Sequence, residues 1–476
     1  MNKIFLTILF LLSLLFSLTN LGKWAFMDYD EAIYAKVYHE SLTRNNFFTF
    51  TYLNEPWFEK PPLYFWLAKG SATLFGKNEF SLRLPSAMLT TISILLVLLI
   101  VLELTKDWTA ALLSAAILTT TAYFLFTGRQ LRLDIPVTSS ILLSIYAFLK
   151  GRDKPFWFLI FGMGIACGIL FKIVIGLLVY PIITLYALIY REYKWLKNKW
   201  FWIGNILALI LIVPWHFYQS LLFGQRFWDS YFLYHVFERT IETITFGDRT
   251  PFLYYFQQLF IVNQPWFFIF ILSAIIFLIH SKTKLKDHRF ELFTLFITIA
   301  IFLLFYLPQT KLLYYFTPML PFMAMFIGSF MAKLLKKQKK AILLIFILLA
   351  IVGVINTSLR IFSDKERGVF LQPLPKISRY AVAKDEKLVA EIAGKEKLPL
   401  YLYNWEFFPT LIYYSELNEV TNLQKVIKGT SLKPPFLLLI PTPLFKGSLP
   451  VSVSTQAKAK SLFNGQAATL IKVSTK

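Results

Sequence analysis

The sequence predicts a polytopic α-helical membrane protein with about eleven spans and a small α/β soluble domain outside the membrane. Hydrophobic residues make up 57% of the 476-residue chain, and its mean hydropathy is +0.57. The apolar residues come in repeated runs of about 15 to 22, close to the length that crosses a hydrocarbon core. From Arg360 onward these runs give way to shorter apolar stretches punctuated by Pro and Gly. A soluble single-domain protein is therefore excluded.

The formal net charge is +22, which in a soluble protein would suggest nucleic-acid binding. Here the basic residues gather in clusters at every second loop, at 150–154, 191–199, 282–289 and 333–340. Cytoplasmic loops of membrane proteins accumulate Lys and Arg, so the charge is explained by orientation. The pattern places the N-terminus inside and the C-terminus outside, and no nucleic-acid partner is expected.

The predicted spans follow from hydropathy alone, and in chain order they cover 4–21, 86–105, 108–127, 135–149, 156–170, 173–190, 201–218, 266–280, 290–307, 312–332 and 341–358. The first run resembles a signal peptide, but no small-residue cleavage site follows it, so we expect an uncleaved span. The single cysteine, Cys167, lies inside a span and excludes a disulfide framework.

Residues 1–358 are therefore predicted to form a membrane domain with two large outer loops, 22–85 and 219–264. Residues 359–476 are predicted to form the soluble α/β domain. In that domain 398–403 and 436–440 are typical of short buried strands, and 408–415 is typical of a helix.

The polar stretch 26–66, between the first two spans, is unusual for a connector. Its acids outnumber its strong bases in a chain that is otherwise basic: Asp28, Asp30, Glu31, Glu40, Glu55 and Glu59 against Lys36, Arg44 and Lys60. The other predicted outer loops add mainly cations and tyrosines, among them Arg129, Arg132, Asp134, Lys172, His235, Arg239, Lys311, Tyr314 and Tyr315. Carboxylates facing many cations at the mouth of a lipid-embedded bundle suit transfer from a phosphorylated lipid. The cations would stabilise a departing phosphate, and a carboxylate would serve as the base.

Some of these residues have simpler interpretations. Asp30 and Glu31 are also typical of a helix start, because acids favour the first turn. Lys60, followed by two prolines, is also typical of a turn that ends a helix. Lys311 is also typical of a cation that snorkels from the end of a span.

Asp134 enters an apolar span, where an ionisable group is costly and usually functional. The alternative for Asp134 is a local ion pair with Arg132 or Arg129. The spacing of His235 and Arg239, four residues apart, also fits one solvated face of a helix.

No cofactor is required by this chemistry, but a divalent metal is an alternative. Asp28 and Asp30 have the carboxylate–x–carboxylate spacing that many sugar transferases use for a cation, and Glu59 is a third candidate ligand. Mg²⁺ or Mn²⁺ usually needs several oxygens and substrate phosphates, whereas the local cations can neutralise a lipid monophosphate without a metal.

Four short motifs in the first part of the chain resemble those of the bacterial polyprenyl-phosphate-sugar transferases. They are Asp30-Glu31-Ala32-x-Tyr34-Ala35, Glu59-Lys60-Pro61-Pro62-Leu63-x-x-Trp66, Arg83-Leu84-Pro85 and Asp134-Ile135-Pro136. This group is similar to the protein O-mannosyltransferases and includes the aminoarabinose transferase of lipid A. Later segments extend the resemblance over most of 1–330, namely Tyr234-His235-x-x-x-Arg239, Pro251-Phe-x-Tyr-Tyr255 and Lys311-x-x-Tyr314-Tyr315.

The resemblance implies a GT-C membrane fold, a periplasmic active site and a C-terminal soluble domain. It also implies that three acids are catalytic, namely Asp30, Glu31 and Asp134. The groups expected to bind the lipid phosphate are Lys60, Arg129, His235, Arg239, Lys311 and Tyr315. The C-terminal part carries no motif of the family, so the resemblance does not identify the acceptor.

We therefore predict an inverting glycosyltransferase of the inner (plasma) membrane. It would take a sugar from an undecaprenyl-phosphate donor and place it on a lipid, glycan or protein acceptor. A secondary transporter or lipid flippase is the alternative from another class, although its substrate site would lie near mid-span. A non-catalytic scaffold is a third interpretation, but it leaves the clustered acids and cations of the outer loops unexplained.

Overall fold

The computed structural model of the chain describes residues 2–27, 29–238, 253–280, 285–308, 312–337, 339–362, 379–405, 409–420, 423–445, 447–452 and 457–475. The helices of the first half are α1 Asn2–Leu18, α2 Asp30–Thr43, α3 Leu63–Phe75, α4 Glu79–Thr105, α5 Trp108–Thr119, α6 Ala122–Gly128, α7 Asp134–Gly151, α8 Trp157–Phe171, α9 Ile173–Gly176, α10 Val179–Tyr190, α11 Lys199–Phe223 and α12 Gln225–Trp228. A π-helical segment, Asp229–Glu238, follows. Then come α13 Tyr254–Val262, α14 Trp266–His280, α15 Arg289–Tyr306, α16 Met319–Lys337 and α17 Lys339–Phe362.

The multi-pass membrane fold predicted from hydropathy is confirmed. Within the described residues, six helices are long and apolar enough to cross a membrane, and counting each sharply bent pair as one span gives up to eight. Two shorter apolar helices, Ile4–Leu18 and Trp157–Phe171, lie on predicted spans as well. The total of about eleven spans stays a prediction.

The segment 108–127, predicted as one span, is instead bent by 64° between α5 and α6. At the bend the hydroxyls of Thr120 and Thr121 each donate to a backbone carbonyl four residues earlier, at 2.8 Å. Such back-bonding competes with the helical ladder and bends helices. Trp266 also donates its indole N–H to Thr120 Oγ1 at 2.9 Å and so fixes the bend against α14. Hydropathy does not detect the bend, because the apolar run continues through it.

Two antiparallel helices, α7 and α8, bring distant ionisable residues together. Asp134 begins α7, whereas Lys172 follows the last residue of α8. Close packing holds the pair: a Cβ at Gly164 would lie 2.3 Å from Ser144 Oγ. On the other side of α8, a Cβ at Gly162 would lie 1.9 Å from the carbonyl oxygen of Gly204 in α11. Small residues at these contacts let membrane helices approach closely.

The outer part of the first loop is folded. It consists of α2, a two-stranded antiparallel ribbon of β1 Thr51–Tyr52 and β2 Glu55–Pro56, and α3. Glu40, near the end of α2, ties the ribbon to this helix, because its Oε2 accepts from Thr51 Oγ1 at 2.5 Å and from the Asn54 amide at 3.2 Å. The ribbon and α2 are therefore held together as one folded unit of the loop.

The C-terminal part contains helices and strands in alternation: α18 Arg379–Glu396, β3 Leu400–Tyr403, α19 Pro409–Leu417, β4 Leu423–Val426, β5 Phe436–Pro441, β6 Ala457–Asn464 and β7 Ala468–Thr475. The five strands form one sheet in the order β4-β3-β5-β7-β6, parallel around β3 and antiparallel around β7. Both strands and the helix predicted here from sequence are present. The predicted domain boundaries stay a prediction.

Candidate active site

Several predicted site residues line one small cavity where the first loop meets the ends of the membrane helices. The cavity measures about 20 Å³, roughly the space that one water molecule needs. It is lined by Asp30, Tyr34, Glu59, Lys60, Leu133, Asp134, Lys172, Tyr314 and Tyr315. The structure thus brings together the two motifs of the first loop, the start of α7, the end of α8 and the segment before α16.

Asp30 is the first residue of α2, as expected for an acid in a first helical turn. Its Oδ2 lies 3.0 Å from the guanidinium of Arg132, which approaches from the loop before α7. The Asp30 side chain is 23% exposed, so it is accessible from the cavity. The helix-start interpretation and the active-site interpretation are therefore compatible for this residue.

Lys60 and Glu59 form an ion pair, with Nζ 2.6 Å from Oε1. Burial lowers the pKa of the Lys60 amine below its usual value, although the Glu59 carboxylate opposes this effect. Pro61 and Pro62 follow directly, and α3 begins at Leu63. The prolines restrict the backbone, so the lysine is presented from a stiff turn at the cavity wall.

Asp134 lies between two cations. Lys172 Nζ is 2.8 Å from Asp134 Oδ1, and Arg132 NH1 is 3.8 Å from Oδ2. The ion pair with Arg132 that was considered as an alternative for Asp134 is present, and Lys172 is the closer partner. Within the described residues, the buried NH1 of Arg132 has no hydrogen-bond partner. This nitrogen is a donor that a bound anion can use.

Aromatic rings cover the cations on one side. The Arg132 guanidinium lies 3.8 Å from the ring centre of Tyr314, and Lys172 Nζ lies 4.8 Å from that of Tyr315. Cation–π contacts of this kind stabilise desolvated cations. Burial, together with the carboxylates of Asp30 and Glu59, raises the pKa of Tyr34 well above its ordinary value, so its hydroxyl stays protonated.

Glu31, predicted to be catalytic, points away from the cavity. Its carboxylate receives two hydrogen bonds from Arg83, Nε to Oε1 at 2.6 Å and NH2 to Oε2 at 2.8 Å. The amides of Met27 and Leu131 donate to the same carboxylate at 3.0 and 2.9 Å. Successive helical residues differ in direction by about 100°, which is why Asp30 and Glu31 separate. Glu31 therefore connects the first loop to α4 and does not face the reacting groups.

Arg129, predicted to bind the lipid phosphate, is placed at the end of α1. Its NH1 donates to the Phe16 carbonyl at 2.6 Å and to the Ser17 carbonyl at 3.1 Å, and its NH2 donates to the Thr19 carbonyl. A helix end leaves such carbonyls without helical partners, and basic side chains satisfy them. The structure thus uses Arg129 as a helix cap and does not bring it to the cavity.

Replacing Glu31 by alanine is expected to destabilise the folded protein by about 3–5 kcal/mol, because the buried Arg83 would lose the carboxylate that balances its charge. A thermal-unfolding measurement in detergent tests this. Glu31→Gln, which keeps the shape and the acceptor oxygen, should cost less. Glu55→Ala is the matched control from the same loop, because Glu55 is exposed and lies 3.5 Å from Arg226, a pair worth roughly 0–1 kcal/mol. Equal melting temperatures for Glu31→Ala and Glu55→Ala would contradict the assignment.

Four further predicted residues cannot be placed. Asp28, Arg239 and Lys311 lie outside the described residues. His235 belongs to the π-helical segment Asp229–Glu238, but its side chain is also outside the described part of the chain. Their assignments stay predictions.

The sequence places Arg132 and Lys172 in outer loops but does not single them out among the other cations there as groups that bind the lipid phosphate. Lys172 is 38 residues from Asp134 in the chain, so no local pattern reveals their ion pair. One feature of the sequence could have indicated this pair. Lys172 is the single lysine between two apolar helices, and a cation at such a position needs an acidic partner.

The candidate metal ligands are already engaged by cations. Asp30 pairs with Arg132, and Glu59 pairs with Lys60. Across the described residues, no group of three or more His, Cys, Asp or Glu side chains is arranged to hold a metal ion.

A larger cavity of about 670 Å³ lies between the ends of α4, α15 and α16, beside the basic cluster 333–340. Two of its three acids are paired: Glu291 with Lys333 at 2.8 Å and Asp107 with Lys336 at 2.9 Å. Asp107 is also the N-cap of α5. These residues stabilise helix ends, and they share no side chain with the site around Asp30.

The site around Asp30 thus combines a proton acceptor with cations held at short range. Three acids, Asp30, Glu59 and Asp134, are balanced by three cations, namely Lys60, Arg132 and Lys172. Each cation already has an acidic partner. An arriving phosphate must therefore compete for these cations.

Comparison with known proteins identifies what the chain resembles. Residues 59–218 match the family described as "Dolichyl-phosphate-mannose-protein mannosyltransferase". This segment includes Glu59, Lys60, Arg132, Asp134 and Lys172.

Among curated relatives, an uncharacterized protein of Aquifex aeolicus is 27% identical over 352 residues, which cover 73% of this chain and 67% of that protein. The undecaprenyl phosphate-alpha-4-amino-4-deoxy-L-arabinose arabinosyl transferase of Pectobacterium atrosepticum is 28% identical over 69% of this chain and 59% of the relative. The transferase of the same name from Enterobacter sp. is 26% identical over 50% of this chain and 44% of the relative. The matches thus span about half the length of these named transferases.

The fold is similar to that of ArnT from Cupriavidus metallidurans bound to undecaprenyl phosphate. The TM-score is 0.71 at 15% sequence identity, and the alignment covers 98% of this chain and 97% of that one. The apo state of the same protein gives a TM-score of 0.69 over the same shares. The fold class predicted from the motifs is confirmed by this similarity.

Proposed function

We propose that this chain, which belongs to the GT-C glycosyltransferases related to the protein O-mannosyltransferases, transfers a sugar from an undecaprenyl-phosphate donor to an acceptor in or near the membrane. The observation that carries the proposal is the cavity lined by Asp30, Lys60 and Lys172, with Arg132 paired to Asp30 beside it. The arabinosyl transferases among its relatives are named for an undecaprenyl-phosphate-linked sugar, which supports this donor class.

In the proposed reaction an acceptor hydroxyl attacks the anomeric carbon while the bond from that carbon to the phosphate oxygen breaks. The configuration inverts, because the nucleophile enters opposite the leaving group. Asp30 takes the proton of the hydroxyl, as a positioned carboxylate can do. If the acceptor is itself an ionised phosphate, Asp30 orients it and no proton needs to be removed.

The departing undecaprenyl phosphate gains a negative charge when the bond breaks. Lys60, Lys172 and Arg132 can stabilise this charge, and NH1 of Arg132, which has no hydrogen-bond partner in the part of the chain that the structure describes, offers a donor. Glu31, although predicted as catalytic, is assigned here to positioning, because its carboxylate already receives four hydrogen bonds.

The cavity of about 20 Å³ is too small for a phosphate. Donor binding must therefore separate an existing ion pair. The Glu59–Lys60 pair is the candidate, because both residues sit on the turn that precedes α3.

No metal is needed in this scheme, because three cations already face the leaving phosphate. If a divalent cation does bind, the candidate ligands are Asp28, Asp30 and Glu59, and the ion would neutralise phosphate charge. Asp30 and Glu59 would first have to leave Arg132 and Lys60.

We place the protein in the plasma (inner) membrane with the site facing outward, towards the periplasm in a cell with two membranes. Asp134 begins α7 at the site, and the same helix ends at Gly151 within the basic cluster 150–154. An 18-residue helix is about 27 Å long, close to one hydrocarbon thickness. The site and the basic cluster therefore lie at opposite ends of α7, and by the positive-inside rule the basic end would be the cytoplasmic one.

The transporter alternative receives no support from the geometry. Its substrate site would lie near mid-span, whereas Asp30, Asp134 and Lys172 lie at helix ends.

A transfer assay tests the proposed function. Purified protein in vesicles is given a series of undecaprenyl-phosphate-linked pentoses and hexoses, with a membrane extract as acceptor, and products are identified by mass spectrometry. We expect a product heavier by one sugar, and equal yield with and without EDTA. Loss of product in EDTA would show that the transfer depends on a divalent metal ion. Donor flux across sealed vesicles without any sugar product would favour the transporter.

A further inference from the structure

The helix α19, in the C-terminal part, packs on the segment that leads to Asp30. Glu416 of α19 pairs with Lys36 of α2. Tyr413 packs edge-on against Phe26, with ring centres 5.4 Å apart, and against His39 of α2 at 6.4 Å. The helix that begins at the proposed catalytic acid is therefore covered by a helix almost 400 residues later in the chain, since Phe26 and Tyr414 are 388 residues apart.

The side chains of α19 bind both backbone groups of Phe26. The Phe26 amide donates to the hydroxyl of Tyr414 at 3.0 Å, and Thr410 Oγ1 donates to the Phe26 carbonyl at 3.0 Å. The Tyr414 hydroxyl in turn donates to Glu79 Oε1 at 2.7 Å, and Lys387 Nζ lies 2.7 Å from the same oxygen. The Phe26 amide, the Phe26 carbonyl and the Tyr414 hydroxyl therefore each have a hydrogen-bond partner, as buried polar groups usually do.

The segment 21–27 contains no helix or strand, and side chains from other elements bind several of its backbone groups. Arg83 donates to the carbonyls of Leu21, Trp24 and Ala25 at 2.8 to 3.1 Å. The same guanidinium binds Glu31, the neighbour of Asp30. Two elements therefore hold the entry to α2: Arg83 from the membrane domain, and Tyr414 with Thr410 from the C-terminal part.

We propose that Tyr414 and Thr410 are positioning residues that fix the backbone before Asp30, so that the C-terminal part completes the active site. This inference rests on the proposed function for its catalytic consequence, whereas its structural consequence is independent of it. A shift of Asp30 by about 1 Å would misplace the carboxylate relative to the acceptor, and such misplacement costs about 10²-fold in rate.

The test variant is Tyr414→Phe in the full-length protein. It keeps the ring against Phe26 but removes the hydroxyl that joins the Phe26 amide to Glu79. Thr410→Val is a second variant, because it keeps the side-chain shape and removes the hydroxyl that donates to the Phe26 carbonyl. Tyr403→Phe is the matched control, since the Tyr403 hydroxyl has no hydrogen-bond partner among the described residues and the residue packs in a separate apolar cluster.

Two measurements are made on each variant. Transfer kinetics should show kcat lowered by about 10-fold or more, towards the 10²-fold limit of misplacement, with the donor KM within twofold of wild type. Amide hydrogen–deuterium exchange should become faster in peptides covering 24–43 and stay unchanged in the other membrane helices. The control should match wild type in both.

Unchanged exchange in 24–43 for both test variants would overturn the proposal. Faster exchange throughout the chain, with a lower melting temperature and an unchanged kcat per folded molecule, would also overturn it, since that result describes general stability only. If the wild type transfers no sugar but exchange still rises only in 24–43, the positioning stands and the proposed function fails.

Discussion

Replacing Asp30 by asparagine is expected to lower kcat for a hydroxyl acceptor by about 10²–10⁴-fold, the usual contribution of a positioned general base. The amide cannot take the proton, but its oxygen can still accept from Arg132, which lies 3.0 Å from the native carboxylate. The donor KM should change little, because Lys60 and Lys172 are untouched. Initial rates over a range of donor concentrations, measured by mass spectrometry, separate the two parameters.

The matched control for Asp30→Asn is Asp229→Asn. Asp229 is exposed in an outer loop, and its Oδ1 accepts a hydrogen bond from Gln225 at 2.8 Å. This variant should transfer sugar at the wild-type rate. If Asp30→Asn keeps full activity with hydroxyl and phosphate acceptors alike, Asp30 is not the base. If it loses activity with hydroxyl acceptors only, proton removal is its role.

The residues that sequence reasoning placed correctly at the cavity share a property. Asp30, Glu59, Lys60 and Asp134 lie in short motifs whose order along the chain is specific, and the cavity contains all four. Their partners were harder to identify, because an ion pair such as that of Asp134 with Lys172 depends on how two helices pack. Such packing is decided by close contacts such as that of Gly164 with Ser144, which hydropathy does not register.

The sequence also could not separate adjacent acids. Asp30 and Glu31 stand side by side in the same motif, and either could face the reacting groups. The helical geometry distinguishes them, because successive residues differ in direction by about 100° and the Glu31 side chain therefore points towards Arg83. The sequence also could not reveal the contacts of Arg129, because the carbonyls at the end of α1 that accept from its guanidinium are 112 and 113 residues away in the chain.

The role of α19 was beyond the reach of sequence reasoning. Its helical character was predictable from the local pattern, but nothing in that pattern points to Phe26. Tyr414 reaches Phe26 across 388 residues of chain. The C-terminal part could therefore be predicted as α/β from its sequence, whereas its contact with the first loop is visible only in the three-dimensional structure.

Replacing Lys60 by alanine is expected to raise the donor KM by about 10- to 150-fold, which corresponds to the roughly 1.5–3 kcal/mol of a hydrogen bond to a charged group. Lys60 is almost fully buried, with 11% of its side chain exposed, so water cannot replace the lost ammonium. The change should appear mainly in KM, because the cation contacts phosphate in both the bound donor and the transition state. Lys77→Ala, at an exposed position of the same loop, is the control and should leave KM unchanged.

The pH dependence of the donor KM is a more specific test of the role of Lys60 than its replacement by alanine. Burial lowers the pKa of its amine below the ordinary value, so the free protein loses this proton at a lower pH than an exposed lysine would. Below that pKa the ammonium is present and the donor KM should be constant. Above it, donor binding must take up a proton, and KM should rise by about tenfold for each pH unit.

Lys60→Arg tests this assignment, because a guanidinium stays protonated throughout about pH 6–10. We expect weaker donor binding for this variant at every pH, since a planar guanidinium does not fill the place of an ammonium beside Glu59. Its KM should nevertheless be flat where that of the wild type rises. If the donor KM of the arginine variant rises with pH at the same midpoint as that of the wild type, a group other than Lys60 titrates.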